Sequence, residues 1–252
     1  MSSSAPTTEI AVLTLKPDTP IEDISTPAGQ IFNQMLNSIQ SQSGFQRQYW
    51  GRQLENPNHL VFSIDWDSIS SHRSWMSSPS YRQFASDISP LLDLSSSNII
   101  HLDFQPHPPD TPRSAPVTEF AFFALPASAS ASQKSALEAA VTDLADLCVG
   151  KTEGGEAAGG EEGGEKRPCA TGYATGWVVE PMEHHAGTDE AAISLGAMVG
   201  WASKDDHTAV RQSHAFAQKV QPVREMVLPA EKTRAMYFVA FTRWAAGKGV
   251  EV

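Results

Sequence analysis

Between residues 60 and 67 the chain alternates. Phe62, Ile64 and Trp66 fall on one side of an extended backbone and Val61, Ser63 and Asp65 on the other, the period-two signature of a half-buried strand. His72 follows Trp66 by six positions. The apolar and small run 193–200 leads in the same way to Trp201 and then to His207. A strand, Trp and His unit therefore occurs twice, and a repeat of this kind makes the chain two copies of one fold unit. The opening strands agree: Thr8-Glu9-Ile10-Ala11 returns as Thr118-Glu119-Phe120-Ala121, an offset of 118 − 8 = 110. Trp50 and Trp177 differ by 177 − 50 = 127, and Trp66 and Trp201 by 201 − 66 = 135. The growing offset places two insertions in the second copy, one in the Gly/Glu-rich stretch at 150–168 and one in the polar stretch 183–190. The first is too poor in apolar surface to repay the entropy of ordering it.

In the first copy the pattern predicts a strand over 8–15 and a helix with Pro27 in its first turn and Ile31, Phe32, Met35, Leu36 and Ile39 at helical spacing. Strands over 45–54 and 60–67 are joined by the turn Asn56-Pro57-Asn58. Ser68 caps a helix carrying His72 and Trp75, Pro79 breaks it, a further helical stretch passes Tyr81, Phe84 and Ile88, and a fourth strand covers 98–105. The second copy repeats this order. It has a strand over 117–125, a helix over 132–149 with Leu137, Val141, Leu144 and Leu147 or Cys148 on one face, a hairpin over 169–179 and 191–201, a helix over 204–220 and a strand over 234–244.

The expected organisation is thus α+β: two tandem ferredoxin-like β-α-β-β-α-β modules over 1–105 and 117–252, separated by the proline-rich linker PHPPDTPRSAP at 106–116. A length of 252 residues with 40% hydrophobic content suits two cores. A net charge of −11 argues against nucleic acid or an anionic membrane as partner. The first residues have neither a basic nor an apolar stretch, and no apolar run approaches the ~20 residues of a membrane span, so a cytoplasmic protein is expected. Cys148 and Cys169 are expected as free thiols.

Two such units, each with Trp at the end of its third strand and His shortly after, together with the run SPSYRQF at 78–84, resemble the dimeric α+β barrel superfamily, and within it the antibiotic biosynthesis monooxygenase (ABM) group. Members pair two ferredoxin-like sheets face to face. The resemblance therefore implies an intramolecular dimeric α+β barrel, a pseudo-dimer on one chain with further self-association left open. It also implies a cofactor-independent enzyme of secondary metabolism that acts on an aromatic, polyketide-like small molecule, by oxygenation or by ring-forming cyclisation. No cofactor and no metal are expected. The alternative is a non-catalytic small-molecule-binding or structural pseudo-dimer.

The chemistry implied is simple. A substrate that forms a stabilised carbanion needs a placed base, a donor for its enolate oxygen and a dry pocket. The positions matching the family pattern are His72, Tyr81, His207 and His214 as catalytic candidates, and Trp50, Trp66, His101, Trp177 and Trp201 as substrate contacts. If one copy alone works, the first is the better candidate, because the second lacks the proline turn before its last helical stretch. Packing competes with chemistry at each position. A Trp ending a strand often plugs the layer between sheet and helices, and a His near a helix start often caps it or lies exposed.

Other signals fail. Gly150-Lys151-Thr152 matches the end of a P-loop, but Ala145 stands where its first glycine belongs and a helix precedes it. His184-His185 with Glu183, Asp189 and Glu190 lacks the spacing of a preformed metal site. Neither a GxGxxG run nor a cysteine-pair metal pattern occurs, and no residue stands out as a haem ligand.

Overall fold

A computed structural model describes residues 5–151, 169–180, 191–228 and 236–244. Apart from Gly150 and Lys151 the insertion at 150–168 lies outside the described residues, as does the stretch 183–190. The chain divides into two compact units, residues 1–103 with 239–252, and residues 104–238.

In the first unit β1 (Thr7–Leu15) pairs antiparallel with β3 (His59–Trp66), Ala11 opposite Phe62, and with β4 (Leu92–Leu102), Glu9 opposite His101. β2 (Phe45–Arg52) forms the hairpin partner of β3, with Trp50 opposite Phe62. The sheet order β4-β1-β3-β2 is that of a ferredoxin-like unit. Alternation sends Ala11, Leu13 and Leu15 of β1 and Leu60, Phe62, Ile64 and Trp66 of β3 into one core with Phe32, Met35, Leu36 and Ile39 of α1 (Pro27–Gln40). α1 begins where Thr26 accepts a hydrogen bond from the Gly29 N–H at 3.0 Å, with Pro27 in the first turn as expected. Ser68 and Ser78 cap α2 (Ile69–Met76) and α3 (Pro79–Ile88) in the same way.

The second unit repeats the plan. β5 (Val117–Pro126), α5 (Ala131–Cys148), β6 (Ala170–Trp177) and β7 (Ala192–Trp201) are followed by α6 (Lys204–Arg211), α7 (His214–Met226) and β8 (Met236–Val239), in the sheet order β6-β7-β5-β8. A capping box between Ser130 and Gln133 starts α5, and Leu137, Val141, Leu144 and Cys148 of its buried face meet Leu195, Ala197, Val199 and Trp201 of β7.

Three expectations need correction. The single helix over 204–220 is two helices. Ser213 caps α7 by accepting from the Phe216 N–H, so a serine cap does here what Ser78-Pro79 does in the first unit. α7 then passes through Pro222 to Met226, held by its buried Val220 and Val223. The strand over 234–244 is also divided. β8 belongs to the second sheet, and β9 (Thr242–Trp244) pairs with β2 at the edge of the first, where Gly51 alone has room for the backbone of Ala240. Finally, the proline-rich segment is no loose spacer. It contains the short helix α4 (Asp110–Arg113), and Thr118 donates to the Pro112 carbonyl at 2.9 Å. Gly172 and Gly200 leave space for Thr111 and Pro112 to lie against β6 and β7. Among the described residues no helix is long and apolar enough to cross a membrane.

Candidate functional site

Each unit buries one carboxylate on the core side of its first strand. Glu9 is two positions before Ala11, so the same alternation that builds the core turns its side chain towards the helices. Burying a carboxylate is costly unless it is hydrogen-bonded or paired, and both units supply the same partners. In the first, the Trp66 indole N–H donates to Glu9 Oε2 at 2.8 Å. The His72 ring stacks on Trp66, with centroids 4.8 Å apart and planes 13° apart, and its Nδ1 lies 3.4 Å from Glu9 Oε2. His101 of β4 completes the group, its Nε2 being 2.7 Å from His72 Nδ1. Glu9, Trp66, His72 and His101 are all at most 4% exposed.

In the second unit Trp201 donates to Glu119 Oε2 at 2.9 Å, and His207 Nε2 lies 3.6 Å from Glu119 Oε1. Here His207 is turned edge-on to Trp201, at 81°, and the place taken by His101 is held by Phe238, whose ring lies 4.8 Å from that of His207. The two constellations share acid, indole and first imidazole. They differ in the fourth member.

They differ also in what surrounds them. Counting from the serine caps Ser78 and Ser213, Trp75 corresponds to Val210, Tyr81 to Phe216 and Phe84 to Lys219. In the first unit the Trp75 ring lies 5.9 Å from those of Trp66 and His72, 5.1 Å from Tyr81 and 5.0 Å from Phe84, and this aromatic cluster fills the layer between sheet and helices. A depression of about 330 Å³ on this unit is lined by Gln42, by Ser70, Ser71, Ser74 and Ser78 and by Trp75 of the cluster, and none of Glu9, Trp66, His72 and His101 lines it. The second unit has an apolar cavity of about 280 Å³ in the layer between its sheet and helices, and Phe216 is one of its walls. Val141, Leu144 and Val223 wall it, Glu119, Trp201 and His207 reach it, and Arg211 and Arg224 are its cations. Cys148 also lines it, but burial, and secondly the Glu119 charge, push its thiol up to about 12, so it is neither a nucleophile nor a ready metal ligand. Both cysteines are free.

The sequence candidates sort accordingly. Trp66, His72 and His101 come together in one unit, and Trp201 and His207 in the other. Tyr81 is half-buried against Trp75, and burial together with the Glu9 charge raises its pKa, which makes its phenol a donor and not a base. His214 sits exposed in the first turn of α7, at the position of Pro79 and outside the cavity lining. Trp50 packs edge-on against Phe32 in the core. Trp177 donates to Glu138 beneath Lys134, away from the cavity. Glu9 and Glu119 were not among the sequence candidates. Their signal was present in the repeated Thr-Glu that opens both apolar strands, an acid on the core-facing side.

A His beside a carboxylate at an apolar cavity can accept a proton from a weak carbon or phenol acid, while the carboxylate offsets the charge the imidazole acquires. Comparison with known families bears on which protein uses such an arrangement. The antibiotic biosynthesis monooxygenase family matches residues 27–87, from the start of α1 almost to the end of α3. An anthrone oxidase-like protein of known structure is similar over 99% of this chain and 97% of its own, with 14% identity and a TM-score of 0.60, and this gives the chain the tandem two-module fold. SnoaB, a cofactor-independent oxygenase from Streptomyces nogalater, matches 38% of this chain and 88% of its own with 20% identity and a TM-score of 0.30. A conserved protein from Methanosarcina mazei Go1 matches 38% of this chain and 92% of its own with 18% identity and a TM-score of 0.31. Comparison with curated proteins finds no match.

Proposed function

We propose that the cavity of the second unit binds an aromatic, polyketide-like small molecule, and that the protein is an ABM-type enzyme that activates this substrate without a bound cofactor, by oxygenation or ring-forming cyclisation. One observation carries the reading: an apolar cavity that closes on a buried Glu–His pair. Its volume of about 280 Å³ is near the lower end of the roughly 300–1,000 Å³ usual for small-molecule sites, which suits a compact fused-ring ligand.

In this reading His207 removes a proton from a phenol or from a carbon between carbonyl and arene groups. Glu119, held by the Trp201 N–H, offsets the resulting imidazolium. Arg211 and Arg224 stand where the phenolate or enolate oxygen needs cations. The apolar walls keep water from reprotonating the carbanion, which then reacts with dioxygen or with a carbonyl of its own chain. The first unit keeps the acid, indole and imidazole but fills its layer with Trp75, and its role in this reading is structural.

Oxygen uptake and product mass spectrometry with hydroxylated anthrones and poly-β-ketone analogues test the proposal. Turnover should fall by about 100-fold or more in His207→Ala and Glu119→Gln and stay unchanged in Tyr81→Phe. Binding without turnover would make the protein a non-catalytic binder. Turnover that survives His207→Ala and fails in Tyr81→Phe would move the site to the first unit.

A further inference from the structure

We propose that Glu9, His72 and His101 form a binding site for a divalent transition-metal ion of the zinc class, separate from the cavity of the second unit. Three elements converge to make it. Glu9 of β1 and His101 of β4 are direct neighbours across the sheet, and His72 of α2 descends onto both. The ligand atoms of the three residues all lie within 4.8 Å of one another, and among the described residues no other group of three His, Cys, Asp or Glu side chains does this.

The donor set and the spacing suit the ion. Two imidazoles and one carboxylate is a combination that binds zinc, with metal–ligand distances of about 2.0–2.2 Å; such distances place tetrahedral ligand atoms about 3.4 Å apart. His72 Nδ1 is 3.4 Å from Glu9 Oε2, and 2.7 Å from His101 Nε2. A modest opening of the second pair therefore admits the ion. The indole N–H of Trp66, donating to Glu9 Oε2, fixes the carboxylate as outer-shell hydrogen bonds do in metal sites. A divalent charge also compensates a carboxylate that is only 4% exposed. With three protein ligands, a water takes the fourth position.

The second unit provides the contrast. It keeps the acid, the indole and the first imidazole, and puts Phe238 where the first unit has His101. Packing alone is met there by a phenyl ring. A second imidazole aimed at the first adds a lone pair, which is what a metal site requires.

The test is metal binding by the full chain after chelation and dialysis, with Co²⁺ as an absorbing probe and Zn²⁺ in competition. The expected result is one tightly held Co²⁺ per chain with visible ligand-field bands, displaced by Zn²⁺, and a Zn²⁺-dependent rise in melting temperature. His101→Phe, which borrows the residue the second unit already accommodates, should weaken binding at least 100-fold and abolish the rise. Should that variant not fold, Glu9→Gln is read in its place, with the same expectation of weakened binding. Replacing both His184 and His185 by Ser should leave binding intact. The proposal is overturned if wild type takes up no ion, if His101→Phe binds as wild type does, or if the bound ion disappears with His184 and His185.

Discussion

The two units start from one plan and use its interior differently. Both bury a glutamate on the first strand and hold it with a tryptophan from the third. In the first unit the layer above this pair is closed by Trp75, Tyr81 and Phe84, whose ring centroids lie within 6 Å of one another. In the second, Val210, Phe216 and Lys219 stand at the same places, and of these Phe216 lines the cavity that reaches His207. Large aromatic side chains dominate the stability of a core, and giving one up is costly unless the space is used. The difference is one of packing: the first unit closes its layer with aromatic rings, and the second leaves a cavity beside its Glu–His pair.

The strongest way to break this comparison is at the shared tryptophan. Trp66→Ala should destabilise the protein by about 3–5 kcal/mol, since it removes a fully buried ring and leaves Glu9 without its donor. Trp201→Ala should cost less, because that ring already borders open space. Denaturant midpoints of the two variants measure the difference, and equal losses would contradict it. A smaller effect, about 2–4 kcal/mol, is expected for Trp75→Val, which gives the first unit the residue of the second. This variant should acquire an apolar cavity beside His72, visible as new binding of a small aromatic probe.

The surface offers a gentler comparison. In the first unit Arg52 holds Glu22 through a two-pronged contact at 2.6 and 3.0 Å. Partial burial pulls the Glu22 carboxyl up, but the Arg52 hydrogen bond, the residue's own backbone and the Arg52 charge outweigh it and leave the pKa below 4.5. In the second unit Asp146 accepts from Lys151 at 2.7 Å and from Tyr173 at 2.6 Å, and these contacts likewise outweigh desolvation and lower its pKa. Both carboxyls are depressed on folding. Their stabilisation is therefore fully present above the unfolded values and is lost as pH falls through the lower folded ones. Solvent screening keeps each below about 1 kcal/mol. Arg52→Met and Lys151→Met should each show a small loss at pH 7 that shrinks in acid, and a loss that grows in acid would reverse the assignment.

The fold was legible because its signals are periodic. Alternation at 60–66, helical spacing at 31–39 and the doubled Trp–His unit placed strands and helices close to where they lie. The site was less so. A single acid in an apolar strand, as at Glu9 or Glu119, has the look of a residue on an exposed face until the register shows which neighbours it shares a side with. His72 and His207 stand near helix starts, where capping or exposure is the usual expectation, and their burial at 1% and 6% comes only with the packing of α2 and α6. The break between α6 and α7 carries little signal because it rests on one serine cap and not on a proline. The cavity is the least legible feature, because its walls come from residues as far apart in sequence as Glu119, Val141, His207 and Val223, and only their packing brings them together. β9 is not separable in the sequence because Thr242-Arg243-Trp244 follows the β-rich run 236–241 with no turn residue to mark a change of sheet.

Isothermal titration of a hydroxylated anthrone into wild type and Val141→Trp tests most directly whether the second unit's cavity is the ligand site. Val141 walls that cavity, and an indole in its place takes up the space a ligand would need. The fold is expected to be kept and the affinity to fall at least tenfold, while Ser74→Ala, in the open depression of the first unit, binds as wild type does. Unchanged affinity in Val141→Trp, with binding lost in Ser74→Ala, would place the ligand in the first unit instead.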